Sequence, residues 1–209
     1  MKLFHIYSDI AERQETKEMN GKKEERVTVF IDLRNVLGHT KQFRELGVKL
    51  DFRDLVEAVT GGRKLAGTYV FDGTASDNDH SGMLHDEMRN IGFRVITRTC
   101  YDKDTNTQKE IDVAMSCEIL SQAYKDGYDS VIIVSGDRDF RPVIEQVQSM
   151  GKRGEVAGFS DGMSGVLAKS CDAFHDLDPV PMFYHVPEMI ECGEFVIDST
   201  VTMCEAMAC

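Results

Sequence analysis

SVIIVSGDRDFRPVIEQVQS, residues 130–149 of this 209-residue chain, is the stretch that decides the fold. Its opening run up to Ser135 is almost continuously apolar and rich in β-branched residues, which is typical of a strand buried on both faces in a parallel sheet. From about residue 140 the apolar spacing predicts a helix, with Pro142 tolerated in its first turn. Asp137 and Asp139 lie between these two elements, so we expect them at the carboxyl end of a buried strand.

The same alternation of strand and helix extends over most of the chain. Further strands are predicted at Val27–Asp32, Leu65–Phe71, Phe93–Thr97, Glu155–Phe159 and Phe174–Leu177. Further helices are predicted over residues 51–60, 79–91, 108–125 and 163–170. Strands that alternate with helices of this length form parallel βαβ units, whose right-handed crossovers place helices on both faces of the sheet. The pattern predicts a three-layer α/β/α sandwich with a central, mostly parallel sheet.

Charge is distributed unevenly along the chain. The net charge is −12, and residues 170–209 contain eight acidic residues but no Lys or Arg. The first 26 residues contain six residues of each sign. These shifts divide the chain into a charged N-terminal arm (1–26), a core domain (27–178) and an acidic C-terminal tail (179–209). An acidic chain argues against nucleic acid as a partner, but most of the excess belongs to the tail, so the core stays compatible with one.

The apolar and cysteine patterns indicate in which compartment the protein is expected. No stretch approaches the roughly 18 apolar residues of a membrane span. The N-terminal apolar run is too short, and too soon interrupted by charge, for a signal peptide. The six cysteines form no CxxC pair, which disfavours a zinc site and favours reduced thiols. We therefore expect a cytoplasmic protein without membrane association.

Four aspartates are expected at one edge of the sheet. In a doubly wound sheet, ligands bind beyond the carboxyl ends of the strands, where the strand order reverses. Asp32 ends the first strand, Asp137 and Asp139 follow the SVIIVS strand, and Asp112 lies in the first turn of the longest helix. If those two strands are neighbours, Asp32 and Asp137 face each other across the switch point.

Such a concentration of carboxylates needs a counter-charge. Two full charges about 5 Å apart at an effective dielectric near 20 repel by roughly 3 kcal/mol. An all-oxygen ligand set suits Mg²⁺ or Mn²⁺, and an ion held in this way is the usual apparatus for phosphoester hydrolysis. Structural roles are the alternatives: Asp139 as a helix N-cap, Asp112 as a complement to the helix dipole, and Asp32 as a turn residue. Their joint placement at one edge favours the metal site.

Four segments resemble the successive motifs of NYN domains, a branch of the PIN-like nucleases. They are FIDLRN (30–35), KEIDVAM (109–115), VIIVSGDRDFRPVIE (131–145) and GKRGEVAGF (151–159). The resemblance covers about residues 27–178, and the SGDRDF block is its most specific part. It implies a Rossmann-like, PIN-like sandwich and metal-dependent cleavage of RNA.

The resemblance also implies roles for individual residues. The metal ligands would be Asp32, Asp112, Asp137 and Asp139. Asn35 would complete the catalytic set by ordering the site, and Ser135 would contribute through its hydroxyl or the tight turn that it begins. The family usually has Gly soon after the first aspartate, where this chain has Leu33 and Arg34.

Basic side chains near the same edge are candidates for binding RNA phosphates. The predicted substrate-binding set is Arg34, Lys109, Ser135 and Arg138, with Lys41, Arg44, Arg141, Lys152 and Arg153 as further candidates. The alternative for each basic residue is an ordinary solvated position. His80 and His85 lack the i, i+4 spacing of a metal pair, and we predict both at the surface. The expected substrate is RNA in single-stranded or loop regions.

Two functions remain open at this point. One is a metal-dependent ribonuclease. The other is a non-catalytic NYN-type module that binds RNA or a protein for regulation, which the net charge and the missing glycine favour. A phosphatase of the haloacid-dehalogenase type would need a second aspartate at position 34, where this chain has Arg34. A P-loop NTPase and a dinucleotide-binding enzyme are excluded as well, because neither GxxxxGK[ST] nor GxGxxG occurs. A homo-oligomer, or a protein partner bound through the tail, also remains open.

Overall fold

The computed structural model describes residues 24–41, 45, 48–74, 82–98, 110–178 and 183–185. Its strands are β1 (Arg26–Asp32), β2 (Val48–Leu50), β3 (Lys64–Gly73), β4 (Arg94–Arg98), β5 (Ser130–Val134), β6 (Arg153–Gly158), β7 (Ala173–Asp176) and β8 (Phe183–His185). Its helices are α1 (Leu33–His39), α2 (Phe52–Thr60), α3 (Gly82–Asn90), α4 (Ile111–Tyr124), α5 (Arg141–Ser149) and α6 (Gly165–Ser170), with a 3₁₀ turn at Arg138–Phe140. None of these helices is long and apolar enough to cross a membrane.

Six strands form one parallel sheet in the order β4-β3-β1-β5-β6-β7. β1 pairs with β3 on one side and with β5 on the other, where Ile31 lies opposite Val134. The chain therefore builds outward from β1 through β3 and β4, and then in the other direction through β5, β6 and β7. The strand order reverses between β1 and β5, which is where a sheet of this kind binds ligands. The predicted α/β/α sandwich is confirmed, and its large sheet is parallel throughout.

Residues of β1 alternate between two apolar cores, one on each face of the sheet. Val29 and Ile31 belong to the core covered by α1, α2 and α3. Phe30 belongs to the core covered by α4, α5 and α6, where it stacks on Tyr69 with ring centroids 4.8 Å apart. Because a central strand is buried on both faces, it appears in the sequence as a continuous apolar run. This is why β1 and β5 could be recognised from the sequence.

Three short elements were not predicted. α1 begins directly after Asp32, whose side chain caps it, and Leu33 and Val36 on its inner face are buried. β2 pairs antiparallel with β8, so part of the segment assigned to the tail lies against the core domain. β2 and β8 have three residues each, fewer than the roughly four to eight over which apolar alternation can be recognised, and α1 follows β1 without an intervening loop.

Near the amino-terminal edge of the sheet, the buried Glu155 carboxylate on β6 binds the side chains of Arg63 and His175. Its side chain is 1% exposed. Both terminal nitrogens of Arg63 donate to it, at 2.7 and 2.9 Å, and His175 Nε2 lies 2.7 Å from Oε2. Burial by itself raises the pKa of Glu155, but the hydrogen bonds from His175 and Arg63 outweigh burial and bring the pKa to about 2.

Lys152 and Arg153 also lie at this amino-terminal edge. β6 begins at Arg153 and runs parallel to β1, so both residues are at the end of the sheet opposite Asp32. The Lys152 ammonium binds Asp126, and Arg153 Nε lies 3.1 Å from Glu155. Their predicted position near the aspartate cluster is therefore wrong.

Candidate metal centre

Asp32 lies where β1 and β5 end side by side. The residue is 7% exposed. Its Oδ1 accepts a hydrogen bond from the Asn35 N–H at 3.2 Å, and its Oδ2 accepts one from the Ser135 hydroxyl at 3.2 Å. One oxygen thus caps α1, and the other joins β1 to the residue that follows β5. The carboxylate is held in one orientation, and both oxygens keep a further lone pair for a ligand.

Ser135 and Asn35 position the loop that carries Asp137. The Ser135 hydroxyl oxygen accepts a hydrogen bond from the Asp137 N–H at 3.2 Å, while Asn35 Oδ1 accepts one from the Gly136 N–H at 3.1 Å. Asp137 Oδ1 accepts a bond from the Asp139 N–H at 2.9 Å and so caps the 3₁₀ turn. The FIDLRN and SGDRDF motifs therefore form one hydrogen-bonded unit across the two strand ends.

Gly136 lets this loop pack directly on the loop that follows β6. A Cβ atom added to Gly136 would lie 2.2 Å from the carbonyl oxygen of Gly162. The two loops are also joined by the Ser164 N–H, which donates to the Gly136 carbonyl at 3.0 Å. Since the obstacle is backbone rather than a mobile side chain, a residue with a side chain does not fit at position 136 without a backbone shift.

Burial and neighbouring aspartates raise the pKa values of Asp32 and Asp112. Burial raises the pKa of Asp32 to about 6, and the charges of Asp112 and Asp137 act in the same direction, against the hydrogen bonds from Asn35 and Ser135. Burial, followed by the charges of Asp137 and Asp139, also raises the pKa of Asp112. Among the described residues, the main groups that shift the pKa values of Asp32 and Asp112 include no Lys or Arg. Arg138 pairs with Asp139 at 3.8 Å, so one cation lies beside four carboxylates and the site is negative.

The donor chemistry of this site fits a hard divalent cation. Clustered carboxylate oxygens are the ligands that Mg²⁺ and Mn²⁺ favour. No three acidic, His or Cys side chains in the described part of the chain lie close enough to enclose a metal ion. Mg²⁺ commonly keeps several waters and is bound through one or two carboxylates. The arrangement suits an open site of that kind rather than a closed structural one.

Arg138 and Asp139 lie on the exposed side of the 3₁₀ turn. Their side chains are 79% and 75% exposed, and Arg138 Nε is 3.8 Å from Asp139 Oδ1. α5 has Phe140 at its N-cap position and no side-chain cap, so the capping role considered for Asp139 is wrong; Asp137 caps the preceding 3₁₀ turn instead. Arg138 presents its guanidinium to solvent directly beside Asp137.

Arg34 binds a buried carboxylate that the sequence analysis missed. Arg34 Nε lies 3.0 Å from Asp72 Oδ1, and its guanidinium also donates to the Gly73 carbonyl. Asp72 Oδ2 lies 2.8 Å from His85 Nε2. The surface position predicted for His85 is wrong: the residue is 4% exposed, because its ring reaches inward from α3 to Asp72. A lone aspartate near the end of the apolar strand that contains YVFDG was the available signal.

The other predicted basic residues divide into two groups. Lys41 pairs with Glu45 at 3.8 Å, and Arg141 pairs with Glu145 at 2.7 Å; each pair joins residues four apart in the chain. Lys109, Arg44 and His80 lie outside the described residues. Of the basic residues in the predicted substrate-binding set, Arg138 is the one that the described structure places at the site with a largely exposed guanidinium.

Known proteins share this arrangement of elements. The family model of the NYN domain matches residues 26–178. Among solved structures, a protein of unknown function from Vibrio parahaemolyticus RIMD 2210633 is similar, with a TM-score of 0.65 and 21% sequence identity. The match covers 77% of this chain and 97% of that chain, and it shows the fold. No curated protein is significantly similar.

Proposed function

The chain belongs to the NYN domain family, and on that basis we propose that it is a metal-dependent ribonuclease that hydrolyses phosphodiester bonds of RNA. The observation that carries the proposal is the position of Asp32. It is buried at the point where the strand order reverses, bonded to Ser135, and close enough to Asp112 and Asp137 for their charges to raise its pKa. Carboxylates gathered without a counter-charge repel one another unless a cation joins them.

We assign the holding of Mg²⁺ or Mn²⁺ to Asp32, Asp112, Asp137 and Asp139, one or two of them binding directly and the others through the waters that such an ion keeps. When bound, such an ion would supply positive charge to the transition state and acidify the attacking water. Ser135 and the Asn35 N–H orient the Asp32 carboxylate, and the Asn35 side chain holds the loop of Gly136 against α1. The protein thereby fixes the carboxylates before substrate arrives, which lowers the reorganisation needed during reaction.

We assign the binding of RNA phosphates to Arg138 and Lys109. The remaining members of the predicted set, Ser135 and Arg34, bind the carboxylates of Asp32 and Asp72 instead. Arg138 lies next to Asp137 and is mostly exposed, so it can reach a phosphate oxygen beside the metal site. Basic side chains around the site are few within the described ranges. This favours a short single-stranded or loop segment over a duplex, which would need many phosphate contacts.

The alternative is a non-catalytic module that binds RNA or a protein partner. One observation favours it: no three potential ligands in the described residues lie close enough to enclose a metal ion. On this alternative, RNA would bind without being cleaved, and divalent ions would change neither binding nor stability.

The decisive experiment is incubation of the purified protein with end-labelled single-stranded and hairpin RNAs in Mg²⁺, in Mn²⁺ and in EDTA. We expect cleavage only with metal, and products with a 5′ phosphate, because water rather than the 2′-OH attacks phosphorus. Asp112→Asn should lower kcat/KM by more than about 100-fold, since outer groups that only orient ligands already account for 10–100-fold.

Asp54→Asn is the matched control for Asp112→Asn. Asp54 is also an aspartate in the first turn of a helix, but it is exposed and belongs to α2. The Asp54→Asn protein should cleave RNA at the parental rate. Cleavage that persists in EDTA, or products ending in a 2′,3′-cyclic phosphate, would exclude the proposed mechanism, and binding without cleavage would support the alternative.

A further inference from the structure

Asp72 lies outside the aspartate cluster but is connected to it through Arg34. We propose that Asp72 and Arg34 are positioning residues that hold the turn of Asp32–Asn35 in place, and that Arg34 serves this turn rather than binding phosphate. The effect on cleavage rests on the proposed function, whereas the effect on the turn does not depend on it.

The first support is the register of the sheet. Asp32 lies opposite Phe71 in the pairing of β1 with β3, so β3 continues beyond the end of β1 with Asp72 and Gly73. α1 begins at this same level, immediately after Asp32. Arg34, the second residue of α1, reaches this extension of β3 and binds both of its residues.

The second support is the burial of the carboxylate. The Asp72 side chain is 4% exposed. A charge buried to this extent is tolerated only when it is paired and hydrogen-bonded. Arg34 takes one carboxylate oxygen at 3.0 Å, and His85 takes the other at 2.8 Å. Since displacing the guanidinium would leave part of a buried charge without its partner, Arg34 is held firmly.

The third support is what lies on either side of Arg34 in the chain. Two residues earlier, Asp32 accepts the Asn35 N–H; one residue later, Asn35 accepts the Gly136 N–H through its side chain. Fixing Arg34 therefore fixes both hydrogen bonds, and with them the loop that leads to Asp137. A helix of seven residues is not stable by itself, so α1 depends on its tertiary contacts: the burial of Leu33 and Val36, the Asp32 cap and this anchor.

His85 provides an internal control for this reasoning. It binds the same carboxylate as Arg34, but it belongs to α3 and approaches from the other oxygen. Loss of His85 leaves the bonds from Arg34 to Asp72 and Gly73 in place. A purely structural role of Asp72 predicts equal effects for the two partners, whereas a positioning role predicts an effect on the site from Arg34 alone.

The test is amide hydrogen exchange, followed by NMR, on the full chain without metal or RNA. In Arg34→Leu and Asp72→Asn, the protection of the Gly136 and Asn35 amides should fall at least about tenfold relative to that of Ile133 in β5. In His85→Leu the same ratio should be unchanged, even if overall stability falls, because Ile133 reports global unfolding. Arg34→Lys, which keeps the charge but not the fork of donors, should lie between the parent and Arg34→Leu.

An unchanged protection ratio in Arg34→Leu, or an equal fall in His85→Leu, would overturn the positioning role. Titration with Mn²⁺ alone, followed by electron paramagnetic resonance, adds the link to function: Arg34→Leu should weaken binding about tenfold, as the loss of orienting groups does. If Arg34 binds phosphate instead, its loss would raise KM with normal exchange, and the positioning role would be rejected. A parent that binds no Mn²⁺ would count against the proposed function, while the exchange comparison would still decide the positioning role.

Discussion

The Ser135 hydroxyl donates a hydrogen bond to Asp32 Oδ2 over 3.2 Å, although 103 residues separate the two along the chain. The same hydroxyl oxygen accepts the Asp137 N–H. One small side chain thus ties the aspartate at the end of β1 to the aspartate after β5. The spacing of the two carboxylates depends on the pairing of these strands. A substitution at the end of either strand should therefore change the position of both carboxylates.

Asp137→Asn should stabilise the metal-free protein. Asparagine caps a helical turn about as well as aspartate, so the bond from the Asp139 N–H can persist. One of the charges that repel Asp32 and Asp112 is removed, and we expect a gain on the order of 1 kcal/mol. The stabilisation by Mn²⁺ should shrink at the same time, because weaker binding adds less to the free energy of unfolding. Melting curves with and without Mn²⁺ measure both effects.

Asp54→Asn serves as the control for the metal response and should keep the full shift in Tm with Mn²⁺. Asp129→Asn is unsuitable for this purpose, because Asp129 binds the Arg26 guanidinium at 2.9 Å. An Asp137→Asn protein that is less stable than the parent, yet retains the complete response to Mn²⁺, would mean that Asp137 is only a capping residue.

Lowering the pH from 7 to 4 should increase the contribution of Asp32 to the stability of the metal-free protein. Its pKa is raised by burial to about 6, against about 3.9 for an aspartate in an unfolded chain. Between these values the folded state binds the proton more tightly, so stability rises as pH falls through 6 and levels off below 4. Asp32→Asn should exceed the parent most at pH 7, and its advantage should shrink by about 2 kcal/mol by pH 4. Urea unfolding at several pH values measures this difference; a constant difference would show that burial does not perturb Asp32.

Glu155 should give the opposite dependence at acid pH. Its pKa is about 2, below that of an unfolded glutamate, so its contribution is present above about pH 4.3 and is lost as pH falls towards 2. At pH 7, Glu155→Gln should cost about 3 kcal/mol, because Arg63 and His175 lose a buried charged partner. The same unfolding experiments should show this cost shrinking below pH 4. An undiminished cost at pH 2 would point to lost packing rather than lost charge.

Gly136→Ala should separate the loops that follow β5 and β6. The added Cβ would meet the Gly162 carbonyl oxygen at 2.2 Å, and we expect a loss of about 2 kcal/mol with weaker Mn²⁺ binding. Gly38→Ala is the matched control: it lies in α1 with nothing within 4 Å of its added Cβ, and it should stabilise by roughly 0.5–1 kcal/mol. Thermal unfolding of both variants distinguishes the close contact from a general effect of glycine replacement. Equal stability of Gly136→Ala and the parent would contradict the close packing.

Removing residues 186–209 tests whether the tail shields the site. This cut deletes five acidic residues and no Lys or Arg, and it keeps β8 paired with β2. If the tail competes with RNA, affinity for single-stranded RNA should rise on truncation, and most at low salt, where charges are least screened. Fluorescence anisotropy at two salt concentrations measures the change. An unchanged or lower affinity of the folded truncation would exclude shielding.

The sequence predicted the order of the six parallel strands along the chain and the aspartates at their carboxyl ends. β1 and β5 are buried on both faces, so each appears as an apolar run, and Asp32 and Asp137 follow those runs directly. β2 and β8, of three residues each, are too short to show alternation, and α1 follows β1 with no turn residues between them. Lys152 and Arg153 follow the SGDRDF motif in the chain, but β6 begins at Arg153, so both lie at the edge of the sheet opposite Asp137.

Local pattern in the amino-acid chain was enough to set the class of fold and the edge where the aspartates gather, since periodicity and strand ends are properties of neighbouring residues. The partners of individual side chains were decided only by packing. In the sequence, Asp72 is only an aspartate within a strand. In the structure, Arg34 from α1 and His85 from α3 bind its two carboxylate oxygens. Likewise, the bond from Ser135 to Asp32 depends on the pairing of β1 with β5. These contacts join residues that are distant in the chain, and their geometry arises from how whole elements fit together, which no short stretch of sequence contains.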